Sequence, residues 1–149
     1  MEQRTGRVAR RAGWTMAAMG TIGAVLLLAA PAPAQKLVLA PSSVVPAANI
    51  QLQLGRDDNG NTTVDLKAKH LAQPSSLSPA RTVYVVWVQP SDGPPQRKGL
   101  LKPDNGLNAE VQFITPEQHF ELIISAENND APATPSGTVV ARSTVARGQ

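Results

Sequence analysis

The segment R-T-V-Y-V-V-W-V-Q at residues 81–89 is the most apolar stretch of the chain beyond residue 34. Successive side chains of a strand point to opposite faces, so its apolar residues divide into two sets. These are Val83, Val85 and Trp87 on one face and Tyr84, Val86 and Val88 on the other. A strand that is apolar on both faces is normally central in a covered sheet. The segment therefore predicts a central strand of a layered β-structure.

Two segments before it alternate apolar and polar side chains with a period of two. They cover residues 49–56 and 62–69, and Asn59-Gly60 between them can supply the positive φ angles of a tight hairpin turn. A stretch rich in Pro and Ser follows at residues 70–79. Because proline removes ladder donors, this stretch predicts a crossover between two sheets.

Three more strands are predicted after residue 89, at residues 96–101, 107–113 and 120–126, each bounded by turn-forming residues. A long polar loop at residues 127–137 then leads to a last strand at residues 138–145. No stretch after residue 34 shows a sustained helical period.

Seven strands separated by turns in about a hundred residues are typical of one architecture. We therefore predict an all-β fold, an immunoglobulin-like or fibronectin type III-like sandwich of about seven antiparallel strands. Because the chain has no Cys, the fibronectin-like variant without a disulfide fits better. Trp87 falls on the third strand, where such folds bury a Trp.

The first 34 residues have the composition of an export signal. Four Arg precede an uncharged apolar run at residues 16–30, and the small residues Ala32 and Ala34 occupy the two positions that a signal peptidase reads. We expect cleavage after Ala34. The run is shorter than the roughly 20 residues that a membrane-spanning helix needs, which favours cleavage. The alternative is an uncleaved segment that serves as a membrane anchor. Arg10-Arg11 leaves twin-arginine export open beside ordinary secretion.

These patterns divide the chain into four parts. Residues 1–34 are predicted to be a signal peptide, residues 35–48 a leader or an extra edge strand, residues 49–146 the β-sandwich domain, and residues 147–149 a tail. The protein is expected to be extracytoplasmic, either periplasmic or secreted.

Charge gives no reason to expect nucleic acid as a partner. Removing residues 1–34 takes four Arg and one Glu from 14 basic and 11 acidic residues, which leaves ten of each. A neutral domain offers no basic footprint for nucleic acid or an anionic membrane surface. Contact with the membrane is expected only through an uncleaved signal segment.

The chain offers little catalytic chemistry. Its two His, His70 and His119, each lie beside a predicted strand end, and no nucleophile elbow, phosphate loop or His-x-x-x-His pair is present. We therefore expect no enzyme and no cofactor. The absence of Cys excludes a disulfide framework and a Cys-ligated zinc site.

A weak calcium candidate lies between the first two predicted strands. Asp57, Asp58, Asn59 and Asn61 carry the carboxylate and amide oxygens that Ca²⁺ prefers, but the later Glu of an EF-hand loop is missing. The same residue types are favoured in tight turns, so a purely structural role is the alternative.

Two further sets of residues are candidates for binding. Tyr84, Val86 and Val88 would form an apolar surface for a partner if nothing covers them, whereas neighbouring strands and the Pro-rich crossover would cover them otherwise. The polar loop before the last strand is expected at one end of the sandwich, where this architecture carries recognition loops. Its candidate residues are Asn128, Asn129, Asp130 and Thr134.

Several motifs together resemble one known family. They are Y-V-V-W-V from Tyr84, Asp92-Gly93, Gly99-Leu100, F-E-L-I-I-S-A-E at Phe120–Glu127 and P-S-G-T-V-V at Pro135–Val140. This pattern, across residues 81–145, is similar to the extracytoplasmic domain of the anti-sigma-K factor family, whose members build a small β-sandwich from such strands. The resemblance implies an interaction or sensing domain.

The chain also departs from that family. Its members bind a sigma factor through a cytoplasmic helical region ahead of a transmembrane helix, and only a short basic segment precedes the apolar run here. The Gly-rich step before the last strand is replaced by residues 128–133. The resemblance therefore implies a free, exported bacterial domain without sigma-binding activity.

Together these features predict a non-enzymatic, exported interaction or sensing module that uses its end loops or an exposed sheet edge. The partner would be an unidentified protein or envelope component. The alternative is a structural or adhesion component that self-assembles or attaches to the cell envelope. A sugar-dependent or calcium-dependent binder that uses residues 57–61 is a third hypothesis.

Overall fold

A computed structural model describes residues 34–148, and these residues fold into two layers of antiparallel strands. Residues 1–33 of the predicted signal peptide, with Ala32 of its cleavage site, lie outside the described residues, whereas Ala34 is described and exposed. The strands within them are β1 (Gln35–Leu39), β2 (Asn49–Arg56), β3 (Thr62–Lys69), β4 (Val83–Pro90), β5 (Gln96–Leu101), β6 (Ala109–Thr115), β7 (His119–Glu127) and β8 (Thr138–Ala146).

The strand order confirms the predicted sandwich. One sheet has the order β1-β2-β3-β6 and the other the order β5-β4-β7-β8. The first, second and fifth predicted strands thus face the other four, which is a fibronectin type III-like arrangement. As predicted, β4 is central, since β5 and β7 pair with it on either side. The stretch at residues 70–79, with a 3₁₀ turn at Pro74–Ser76, crosses from one sheet to the other.

The inner faces of both sheets supply the main core from alternating aliphatic positions. Leu52, Leu66 and Leu122 are at most 1% exposed. Tyr84, Val86 and Val88 belong to the same core and are fully buried. The hypothesis that these three residues form a surface for a partner is therefore wrong, because the opposite sheet and the crossover cover them.

Tyr84 ties the crossover to the core. Its hydroxyl donates a 2.8 Å hydrogen bond to the carbonyl of Ala72. Burial raises the pKa of Tyr84 to about 12. The phenol is therefore neutral and acts as a donor at any physiological pH.

Residues 35–48 contribute an extra edge strand and a link between the sheets. β1 pairs with β2 along its whole length. The chain then reaches the second sheet, where Pro41 bridges Ala141 and the Ser42 amide donates to the Val140 carbonyl at 2.8 Å. This pairing joins the segment after β1 to the edge strand β8 of the second sheet.

The residues that follow β8 do not form a free tail. The Arg147 amide donates to the Gln118 carbonyl at 2.9 Å, and its guanidinium donates to the carbonyls of Gly60 and Asn61, both at 3.1 Å. Arg147 and Gly148, the described part of the predicted tail, are therefore hydrogen-bonded to the sandwich. Backbone carbonyls of two turns hold Arg147, and the Gly148 amide donates to Gln35 Oε1 at 3.1 Å. No sequence period reports such contacts.

The turn between β2 and β3 differs from the predicted one. Only Gly60 has a positive φ, of 84°, so the turn has one left-handed residue and not two. The same geometry recurs before β6, where Leu107 takes the left-handed position with a φ of 61°. That turn displaces the strand predicted at residues 107–113 to Ala109–Thr115.

Truncating a core leucine will show which positions stabilise the sandwich. Leu66→Ala should lower the free energy of unfolding by about 2–5 kcal/mol, because it removes buried methylene groups and leaves a cavity. Val38→Ala, at a position 71% exposed on β1, should change it by less than about 0.5 kcal/mol. Urea unfolding followed by circular dichroism measures both, and equal losses would contradict the assignment of the core.

Candidate functional site

The outer face of β4 is buried as completely as its inner face. Val83, Val85 and Trp87 are at most 5% exposed and form a second small cluster with Ile123 of β7. Trp87 is thus buried as predicted, but on the outside of its sheet and not between the sheets. The outer face of a sandwich normally carries polar residues, so something must cover this one.

A chain of hydrogen bonds leads from Trp87 to a buried carboxylate. The indole nitrogen of Trp87 donates to Ser125 Oγ at 2.9 Å, and Ser125 Oγ donates to Glu127 Oε1 at 2.5 Å. Ser125 is fully buried and Glu127 is 2% exposed. Every polar group along this chain therefore has a partner, which buried polar groups require.

Glu127 also holds the end of the polar loop that follows β7. The Ser136 amide donates to Oε1 at 3.0 Å and the Ser136 hydroxyl to Oε2 at 2.8 Å. The next residue is Gly137, where a Cβ would lie 1.8 Å from the Ala126 carbonyl oxygen. Only glycine fits this close approach, so the loop end packs directly on β7.

The carboxylate of Glu127 stays ionised although it is buried. Burial by itself raises the pKa of Glu127, but hydrogen bonds from the Ser125 hydroxyl, the Gly137 amide and Ser136 outweigh it and hold the pKa below its ordinary value of 4.5. The hydrogen-bond donors stabilise the negative charge of the carboxylate, and the carboxylate in turn gives the loop amides an acceptor. The loop therefore has a fixed position above the sheet.

The loop reaches across β4 to the far strand of the sheet. Arg97 of β5 donates from its guanidinium to the carbonyl of Asp130 at 2.8 Å. Because β4 lies between β5 and β7, this contact passes over the outer face of β4. Leu100 of β5 and Val139 of β8 pack against the cluster around Trp87. The contact between Arg97 and the polar loop crosses the same face of the sheet.

A cleft of about 370 Å³ lies where this loop meets two others at one end of the sandwich. Three segments line it: the crossover and start of β4, the end of β5 with its following turn, and the polar loop. The lining residues are Gln73, Pro74, Thr82, Val83, Leu101, Lys102, Pro103, Asn129 and Asp130. The side-chain amide of Gln73 donates to the carbonyls of Pro103 and Asp104, both at 3.1 Å, and so joins two of the segments.

The structure brings together part of the predicted binding loop. All four predicted residues are exposed, and Asn129 and Asp130 line the cleft, whereas Asn128 and Thr134 do not belong to its lining. Sequence reasoning missed Gln73 and Lys102. A possible signal was their position beside strand ends that the sandwich topology places at the same end.

The other candidates have separate locations. His70 follows the end of β3, while His119 lies beside residue Glu117, whose carbonyl accepts a 2.7 Å bond from Thr62 at the start of β3. The length of β3 therefore separates the two His. Among residues 34–148 no group of three or more His, Cys, Asp and Glu side chains is placed to share a metal ion.

The calcium candidate is organised as a turn. Asp57 Oδ1 accepts the amides of Asn59 at 3.0 Å and Asn61 at 2.7 Å, and Oδ2 accepts the Asn61 side-chain amide at 2.8 Å. The bond from the Asn61 side chain contributes most to a lowered pKa of Asp57. Both oxygens thus stabilise the turn, and Asp104 Oδ1 does the same for Gly106 and Asn108.

Comparisons with family models and curated proteins give no match, so the site is interpreted from its geometry alone. No family model matches the chain, and no curated protein matches it. Within the part of the chain that the structure describes, no helix is long and apolar enough to span a bilayer.

Replacing the buried carboxylate will test the role of Glu127. Glu127→Gln should lower the free energy of unfolding at pH 7 by about 1–3 kcal/mol, because three loop donors, the Ser136 amide and hydroxyl and the Gly137 amide, lose an ionised acceptor. The folded pKa lies below 4.5, so the contribution of the wild-type side chain is present above about pH 4.5. It is lost as the pH falls through the folded pKa.

The difference between wild type and Glu127→Gln should therefore shrink in acid, measured by urea unfolding from pH 7 to pH 3. Glu110→Gln is the control, since its side chain is 51% exposed. A difference that is constant with pH, or equal for the two variants, would count against an ionised anchor at Glu127.

The turn at residues 57–61 gives a second test. Asp57→Ala should lower the midpoint of thermal unfolding by the same amount in calcium and in a chelator, because its oxygens already accept three bonds within the chain. Asp104→Ala, in the equivalent turn, is the matched comparison. A loss for Asp57→Ala that occurs only with calcium present would instead identify a calcium site.

Proposed function

We propose that this protein is an exported, non-enzymatic interaction module, and that its binding site is the cleft between the three loops at one end of the sandwich. The observation that carries the proposal is the cleft itself, with Asn129 and Asp130 on one side and Lys102 and Gln73 on the other. Loops on a rigid β-scaffold are where recognition residues concentrate.

The cleft is pre-formed, which supports a recognition role. Glu127 fixes one end of the polar loop, Arg97 contacts the loop through the Asp130 carbonyl, and Gln73 fixes the facing turn. A site built on such contacts loses little conformational entropy when it binds. Its volume of about 370 Å³ lies within the range of ordinary ligand pockets.

The lining favours a short peptide segment as the ligand class. Pro103 is the partly exposed apolar residue of the lining, whereas Val83, Leu101 and Pro74 are buried beneath it. One cation, one anion and several amide or hydroxyl groups surround them. This combination of apolar and polar groups suits a peptide ligand that places one apolar side chain in the cleft and offers the backbone amides on either side of that side chain. It supplies no cluster of positive charge for a phosphate or nucleic acid.

The place of action follows from the sequence. The proposed export signal puts the domain outside the cytoplasm, and the resemblance to the extracytoplasmic domain of the anti-sigma-K factor family agrees with a sensing or interaction role there. We therefore propose a protein of the bacterial envelope or extracellular space as the partner.

A paired affinity experiment tests this proposal. The protein produced from the full-length sequence is immobilised and used to capture partners from an envelope extract, beside the double variant Lys102→Ala with Asp130→Ala. The Asp130 carbonyl, not its side chain, contacts Arg97, so this variant should keep its fold. We expect the wild type to capture a protein that the variant loses.

A charge-matched control lies at the opposite end of the sandwich. Arg56→Ala with Asp58→Ala also removes one cation and one anion, beside the turn that joins β2 to β3. This control should retain the captured protein. Capture that is unchanged by the cleft variant, or lost equally in both variants, would contradict a binding site at the cleft.

A further inference from the structure

Among residues 34–148, no strand pairs with the outer edge of β1. It stands at the end of the order β1-β2-β3-β6 and pairs with β2 in a continuous register from Gln35 to Leu39. Alternate backbone amides and carbonyls of such an edge strand point away from the sheet. They can pair with another chain.

Several protections of an edge strand are missing from β1, although it is short and carries Lys36. It contains no Pro and no acidic residue, its pairing has no bulge, and its one charge is Lys36. The edge strands of the other sheet are different, because the pairings of β5 and β8 contain register shifts. The edge of β8 is also partly covered, since Pro41 and Ser42 pair with it.

Apolar side chains remain exposed on both faces of β1. Val38, on the outer face, is 71% exposed. Leu37, on the inner face, is only half-buried although Leu52, its partner on β2, is 1% exposed. A strand added at this edge would cover an inner-face and an outer-face side chain at once.

The alternating side chains of β1 are complementary to those of a second, antiparallel copy of β1. In an antiparallel pair centred on Leu37, the two Leu37 side chains lie opposite each other, and Val38 lies opposite Lys36 of the second copy. The aliphatic stem of Lys36 can then cover Val38. No two like charges lie directly opposite, and the pairing joins two four-stranded sheets into one.

Charge and symmetry also favour a second copy of the chain as the partner of β1. Residues 35–149 contain ten basic and ten acidic side chains, so two copies have no net repulsion. A twofold pairing through one edge is closed and stops at the dimer. The other open edge of this sheet, β6, lies close to β5, because Val111 Cγ2 would be 2.6 Å from a Cβ on Gly99.

We infer that β1 is a self-association site at which two copies of this chain pair antiparallel, edge to edge, with Leu37 at the twofold axis. The area of one strand pair is small, so the dimer is weak and reversible. This inference does not depend on the loop cleft, which lies at the end of the sandwich and not along this edge.

Sedimentation velocity over a range of concentrations tests the inference. The protein produced from the full-length sequence, with its N-terminus identified by mass spectrometry, should shift from monomer to dimer as its concentration rises. Val38→Lys should raise the dissociation constant at least tenfold, because it places two ammonium groups beside each other across the pair. Ile114→Lys, at a position 56% exposed on β6, should leave the constant unchanged.

Disulfide trapping tests the register independently. The chain has no Cys, so each introduced thiol is unique. An equal mixture of Lys36→Cys and Val38→Cys chains should form a linked dimer faster than either chain alone. A wild type that stays monomeric, dissociation caused by Ile114→Lys and not by Val38→Lys, or faster linking within one variant than in the mixture would each overturn the inference.

Discussion

The burial of β4 on both faces is the constraint on which the rest of the structure depends. The opposite sheet covers Tyr84, Val86 and Val88, as in any sandwich. The outer set around Trp87 packs against Leu100 and Val139 of the neighbouring strands, and the contact between Arg97 and the polar loop crosses the same face. That loop stays in place because Glu127, an ionised and buried carboxylate, accepts hydrogen bonds from Ser125 and Ser136.

This arrangement connects stability with the candidate site. The loop that crosses the outer face of β4 also contributes Asn129 and Asp130 to the cleft. The same contacts that remove apolar surface from water therefore position the recognition residues. A change in the loop anchor would alter both, whereas a change in the Asp130 side chain would alter only the cleft.

Much of the fold could be predicted from local patterns. The bounds of β2 and β3 follow from period two and from Asn59-Gly60 between them, and the central place of β4 follows from its two apolar faces. The pattern could not say which face of β4 points inward, because both sets are apolar. It therefore left Tyr84 as a candidate surface residue, whereas the structure buries it.

The site was harder to predict than the fold. Asn129 and Asp130 could be proposed from the length and polarity of their loop. Gln73 and Lys102 join them only because distant segments of the chain meet in the folded protein. Ser136 and Arg97 meet the loop anchor and Asp130 through contacts that no spacing in the sequence encodes. Such long-range hydrogen bonds depend on the completed sandwich.

The most direct measurement is the accessibility of Trp87 in the native protein. The chain has two Trp, so Trp14→Phe makes Trp87 the sole tryptophan in the full-length chain. Its emission should be blue-shifted and resistant to iodide quenching, and it should become quenchable when Glu127→Gln is added while the β-type circular dichroism spectrum persists. A Trp87 that iodide quenches freely in the folded parent would contradict the account.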